Sequence, residues 1–383
     1  MHASRVHGLA SAILIGTAWP AAAAEFAQVN LVTDDQSAHA AQITDPGLKN
    51  AWGISFSPTS PFWVSSAGGG VSTLYSVDPT TQTTTKLGLT VGNVGSPTGQ
   101  VFNGSSDFNG NRFLFVSEDG AVSGWRSALG TTAETLVSPS PDNSYKGAAI
   151  GSVSGNNYLY ASNFKTGKID VFKGTSGTPD LAGNFTDPNL PSGYAPFNVQ
   201  NLGNTLYVTY AFKSDPGGDD ETTGAGLGIV DAFDLSGNLV GRIASHGTLD
   251  APWGLAIAPS SFGTWAGALL VGNFGDGRIN VFDATTHAFL GQVSGSGGAP
   301  LEIDGLWGIT PGNGQMAGSS GMLYFSAGPD DETHGLFGVL AVVPEPATYS
   351  MWLWGLGCLL AVAWRRREGG ALSVKGPAEQ PET

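Results

Sequence analysis

The chain has 383 residues and a single cysteine, Cys358, which falls in an apolar stretch near the C-terminus. The rest of the chain therefore has no disulfide, no zinc–thiolate site and no cysteine nucleophile. Whatever folds must be held by burial and hydrogen bonding, which a chain of this size allows. Charge is scarce as well. Only 12% of residues are Asp, Glu, Lys or Arg, about half the usual share. Acids outnumber bases 31 to 16, for a formal charge of -15. Such a surface repels phosphate backbones, so no nucleic acid is expected as a partner. The six histidines form no His-x-x-x-His or Glu-x-x-His spacing. No Gly-x-Ser-x-Gly elbow, P-loop or dinucleotide fingerprint occurs either. What is plentiful is glycine, 57 residues, alongside 41% hydrophobic and 10% aromatic residues. That combination fits many short apolar strands joined by tight turns.

The two ends carry address-like segments. Arg5 with His2 and His7 precedes an apolar run from Leu9 to Trp19, and Ala21 to Ala24 supply small residues for cleavage. Residues 1–24 thus read as a signal peptide, leaving Glu25 first. At the other end Val343-Pro344-Glu345-Pro346 leads into an apolar stretch from Ala347 to Trp364, followed by Arg365-Arg366-Arg367. At 1.5 Å per residue that stretch is about 27 Å long, enough for one transmembrane helix. The arginines favour the cytoplasmic side, which puts Pro344 outside, in agreement with the N-terminal signal. Residues 368–383, rich in Gly, Pro and Glu, are expected to be a disordered tail.

Between the ends a pattern recurs: an aromatic-Gly start, a short apolar strand, a strand with aromatic and β-branched residues, a Gly-rich turn and a third strand. Ala51-Trp52-Gly53-Ile54, Pro252-Trp253-Gly254-Leu255 and Leu306-Trp307-Gly308-Ile309 open the clearest copies. Weaker copies begin near 98, 147 and 197. A spacing near 50 residues matches a four-stranded propeller blade. The expectation is an all-β, six-bladed propeller over residues 25–343, with Phe26 to Val32 closing the last blade.

The Pro344-Glu345-Pro346, apolar helix and Arg365 to Arg367 order resembles the PEP-CTERM sorting domain. That resemblance implies an exosortase-type sorting protease as partner and an inner-membrane stage before the cell surface. It also implies a link to exopolysaccharide or biofilm matrix. The middle resembles NHL-like and gluconolactonase-like six-bladed propellers. The whole is similar to a family of PEP-CTERM-sorted propellers, which implies no particular activity. The gluconolactonase resemblance implies one divalent cation, held partly by residues just before the Gly that opens a blade. Here those positions hold Trp52, Thr98, Lys146, Trp253 and Trp307, with Asn198 in place of the Gly in the fourth copy, so only Asn198 and Asp304 suit a metal.

Two sets of candidate residues follow. Trp52, Phe197, Trp253 and Trp307 are expected to gather at one channel mouth, either packing between blades or stacking on sugar rings. Asp219-Asp220-Glu221 and Asp330-Asp331-Glu332 should occupy equivalent loops on one face, either as solvated turns or as a calcium site. The expected function is a surface-sorted binding or scaffold module near a polysaccharide matrix. The alternative is a metal-dependent lactonase-like or sugar-lyase enzyme.

Overall fold

The computed structural model describes residues 24–344, together with Gly355, Cys358 and Leu359. The expected signal peptide up to Ala23, nearly all of the expected transmembrane stretch, the sorting residues Glu345, Pro346 and Arg365 to Arg367, and the expected tail lie outside the described residues. Among the described residues no helix is long and apolar enough to cross a membrane.

Strands account for nearly all of the regular structure. β1 (Glu25–Thr33) and the two-residue β2 (Ile43–Thr44) precede the first complete sheet, β3 (Ala51–Ser55), β4 (Phe62–Ser66), β5 (Val71–Val77) and β6 (Thr84–Val91). The second sheet is β7 (Pro97–Phe102), β8 (Phe113–Ser117), β9 (Val122–Trp125) and β10 (Glu134–Val137). The third has three strands, β11 (Tyr145–Val153), β12 (Asn156–Asn163) and β13 (Lys168–Lys173). The fourth is β14 (Tyr194–Leu202), β15 (Thr205–Phe212), β16 (Gly228–Asp234) and β17 (Leu239–Ser245). The fifth is β18 (Pro252–Ile257), β19 (Leu269–Asn273), β20 (Ile279–Phe282) and β21 (Phe289–Gln292). A short β22 (Ser294–Gly295) leads to the sixth, β23 (Leu306–Pro311), β24 (Leu323–Ala327) and β25 (Leu336–Val343).

These sheets are the six blades of a propeller. The first strand of each blade lies beside the first strand of the next, and β23 returns beside β3 to complete the ring. Closure comes from β1, which pairs antiparallel with β25 from Glu25 opposite Val343 to Thr33 opposite Leu336. The N-terminal strand is thus the fourth strand of the last blade, as its apolar residues suggest.

Period-2 patterning explains why the blades stack. In β8, Phe113 and Phe115 enter the seam with the first blade while Leu114 and Val116 enter the seam with the third. Each of the six seams is filled by its own apolar cluster, and a seventh cluster sits on the axis. The axis is crowded enough to demand glycine. A Cβ on Gly99 would lie 2.3 Å from the Ala148 nitrogen, and one on Gly53 would lie 2.3 Å from the Thr98 oxygen. Those clashes are with backbone of the next blade, so no side chain can move aside.

The third blade departs from the four-stranded expectation. Residues 174–193 occupy the place of its fourth strand but contain Pro179, Pro188 and Pro191, which have no N–H to give to a ladder. The segment instead peels toward the fourth blade, where Gly183 and Phe185 donate to the Ser236 and Gly237 carbonyls. Phe185 is buried in that seam.

Candidate functional site

First strands all begin on one face of the disc, called here the upper face, and end on the lower. Near its start each carries a register shift against the second strand: around Trp52, Thr98, Lys146, Phe197, Trp253 and Trp307. A bulge re-aims the side chain it carries. Six bulges at equivalent places therefore send four aromatics, a threonine and a lysine to the upper end of the axis.

The four aromatics meet there. Trp52 and Trp307 stack with centroids 3.7 Å apart, and Trp307 stacks on Phe274 at 4.0 Å. Trp253 meets both tryptophans edge-on, and Phe197 leans on Trp307 at 5.8 Å. Exposures of 0–5% show that these rings are buried. Their faces are taken by one another, so they form a plug rather than an open platform for a sugar. Packing, not stacking on a ligand, is what the geometry displays. Two indole N–H groups are satisfied within the plug. Trp307 Nε1 donates to Asn50 Oδ1 at 2.8 Å and Trp253 Nε1 to the Lys146 carbonyl at 2.9 Å. Trp52 Nε1 is buried without a partner among the described residues.

Above the plug lies a charge cluster. Lys146, on β11, is 2% exposed. Its Nζ is 2.5 Å from Glu118 Oε1 and 5.4 Å from the centre of the Trp52 ring. The two acidic loops both join a second strand to a third and both reach this lysine. Burial opposes its charge, but Glu118, Glu221 and Asp220 outweigh that and hold its pKa above the ordinary value. Glu221 pays for its position. Burial, with help from Glu332 and Asp220 and against Lys146, pushes its carboxyl up to about 7. Burial and Glu118 likewise raise Glu332, whose carboxylate accepts from Asn50 Nδ2. The turn that delivers Glu332 is unusual: Asp330, Asp331 and Glu332 all have positive φ, 54°, 53° and 63°. Three successive left-handed residues without glycine are strained, and the strain is held by the Glu332 N–H bonded to the Gly328 carbonyl.

The remaining acids are engaged elsewhere. Asp219 pairs with Lys165 at 3.1 Å, and Asp330 with His39 Nε2 at 2.8 Å. Asp331 is exposed. Asp304 accepts from the Asp330 N–H at 2.9 Å. Asn198 is also in use, donating from Nδ2 to the Trp253 carbonyl and accepting from the Val199 N–H, both at 2.8 Å. Among the described residues no three His, Cys, Asp or Glu side chains are placed to hold a metal ion. The loops expected to offer calcium ligands come together, but around an ammonium that already supplies the positive charge.

Below the plug the channel narrows to about 20 Å³ beside Asn198 and Gln100, room for about one water. It then opens on the lower face into a cavity of about 280 Å³. Phe56 and Phe102 flank this mouth, with Ser55, Gln200, Asn201 and Thr310 in its wall. Among the described residues, none that lines it is charged. Ser55 Oγ is buried without a hydrogen-bond partner among the described residues. Sequence reading missed this mouth because its residues come from the ends of first strands on five blades and share no motif. Pro344 follows the last strand on the same lower face.

A comparison with known families agrees with the C-terminal address. Residues 342–367 match the PEP-CTERM protein-sorting motif, a substrate signal for exosortase that marks an exported, surface-directed chain. "Uncharacterized protein R648" of Acanthamoeba polyphaga mimivirus is 32% identical over 333 residues, covering 81% of this chain and 79% of that protein. "Uncharacterized protein L690" of the same virus is 39% identical over 204 residues, 51% of each chain. Among solved structures, the PQQ-bound aldose sugar dehydrogenase of Streptomyces coelicolor aligns at 17% identity over 77% of this chain and 95% of its own, TM-score 0.45. A streptogramin B lyase aligns at 14% over 84% and 98%, TM-score 0.43.

Proposed function

The chain belongs to one family with that first mimiviral protein, and from this premise we propose that it is a surface-sorted module that binds neutral polysaccharide at its lower mouth. The observation that carries the reading is the uncharged lower cavity. Amide and hydroxyl groups with no charged neighbour recognise a polyhydroxylated neutral ligand, and flanking phenyl rings suit the apolar face of a sugar. At about 280 Å³ the cavity sits just under the ~300–1,000 Å³ of small-molecule sites, the scale of a single sugar unit of a chain. A net charge of -15 disfavours acidic polymers. The PEP-CTERM motif supports delivery to the surface, with an exosortase-type protease acting at Pro344-Glu345-Pro346 and residues 347–364 spanning the inner membrane beforehand.

Titration of the full chain with dextran and with alginate tests this. Dextran is expected to bind and alginate not. Phe56→Ala is expected to weaken dextran binding about tenfold, with Trp253→Ala leaving the affinity of the folded fraction unchanged. Equal binding of alginate, or loss on Trp253→Ala alone, would move the site or remove it. Turnover of a lactone with one divalent ion bound would replace the reading with the enzymatic one.

A further inference from the structure

Large apolar side chains that remain exposed on the disc are few, and their placement is one-sided. Leu239 and Val240 begin β17, Phe289 and Leu290 begin β21, Met316 lies in the β23–β24 connection, and Val342 ends β25. Fourth strands begin, third strands end and first-to-second connections run on the lower face, so all six residues are there. By chain position they belong to three consecutive blades, the fourth, fifth and sixth, and Met316 reaches the edge of the first, where its carbonyl accepts from the Val77 N–H. Exposures run from 37% for Leu239 to 66% for Val240. Scattered apolar residues need no explanation, but a set confined to one face and to consecutive blades of a disc does.

The chain's own course says what covers it. β25 ends at Val343, next to Val342 of this set and opposite Glu25. Only Pro344, Glu345 and Pro346 separate Val343 from the apolar stretch beginning at Ala347. Fully extended, that linker spans about 14 Å. Headgroup layers are roughly 5–8 Å thick on each side of the hydrocarbon core. We propose that, before the chain is released, the lower rim of blades four to six rests in the headgroup region of the membrane, placing the six apolar side chains at the lipid interface. The inference rests on residues 347–364 spanning the bilayer. Contact is apolar rather than electrostatic. Asp234 and Asp283 occupy the hairpin turns beside Leu239 and Phe289, each accepting from the backbone of its own turn. Anionic lipid therefore adds nothing to binding.

The test uses the full chain with Cys358→Ser, reconstituted in phosphatidylcholine vesicles, carrying one environment-sensitive fluorophore on a cysteine at Phe289 or, as reference, at Gly88 of the first blade. The expected result is a blue-shifted label at 289 that brominated lipid quenches at least threefold more than the label at 88, unchanged when a third of the lipid is phosphatidylglycerol. Val240→Glu with Leu290→Glu should return the 289 label to the reference value while the chain still floats with the vesicles. A chain that floats but leaves both labels equally in water overturns the inference and keeps the anchor. A chain that does not float overturns both. Strong dependence on anionic lipid would show an electrostatic contact and overturn the apolar one.

Discussion

Replacing Glu221 with glutamine separates a carboxyl held neutral by burial from one held ionised by Lys146. The group's ordinary value is 4.5 and the fold raises it to about 7. A raised carboxyl binds its proton more tightly folded than unfolded. Its contribution to stability is therefore full below about pH 4.5 and is lost as pH climbs through 7. At 1.36 kcal/mol per pH unit, the ionised side chain at pH 8 costs the native state up to about 3 kcal/mol relative to a neutral one. Glutamine has the same shape and no charge to bury. Urea unfolding followed by tryptophan fluorescence should find Glu221→Gln more stable than the parent by about 1–3 kcal/mol at pH 8. The gap should close to within about 0.5 kcal/mol at pH 4. If the variant is instead less stable at pH 8, Lys146 and Glu221 form a net favourable ion pair, and the assignment of burial as the dominant force is wrong. A gap independent of pH would show that Glu221 does not titrate in this range at all.

Three further outcomes follow from the geometry. Gly99→Ala forces a Cβ against the Ala148 backbone and should cost 3 kcal/mol or more, about the upper end of overpacking, or prevent folding. Gly88→Ala, which meets nothing within 4 Å, should leave the urea midpoint nearly unchanged. Phe26→Ala removes a ring that is 1% exposed and packs 4.5 Å from Phe262, loosening the strand that closes the ring. A loss of about 3–5 kcal/mol is expected, with early amide exchange along β1 and β25 as the measurable sign. Calcium chloride should leave the parent's unfolding temperature unchanged. It should raise that of Lys146→Met, in which Glu118, Glu221 and Glu332 lose their shared ammonium; equal effects on both proteins would contradict the idea that the lysine already fills the cation's place.

Sequence alone determined the number of blades, where each begins, and which strand closes the ring. Those features are written locally: alternating apolar residues, a glycine where backbones must touch, and a repeat long enough to count. The acidic loops were also legible as equivalent, because Asp219 to Glu221 and Asp330 to Glu332 are near copies of one another. Tertiary structure decided what these residues are for. Trp52, Trp253 and Trp307 read the same whether their faces are open or covered, and only the six converging bulges show that they cover one another. In sequence Lys146 is only one of the residues before a blade-opening glycine, while its pairing with Glu118 and its nearness to both acidic loops join residues up to 186 positions apart. The missing fourth strand of the third blade, the uncharged lower mouth and the one-sided apolar set likewise depend on which parts of different blades come to lie side by side. A repeat specifies each blade to itself; what happens on the axis and at the rim is set by the neighbours it acquires on closing the circle.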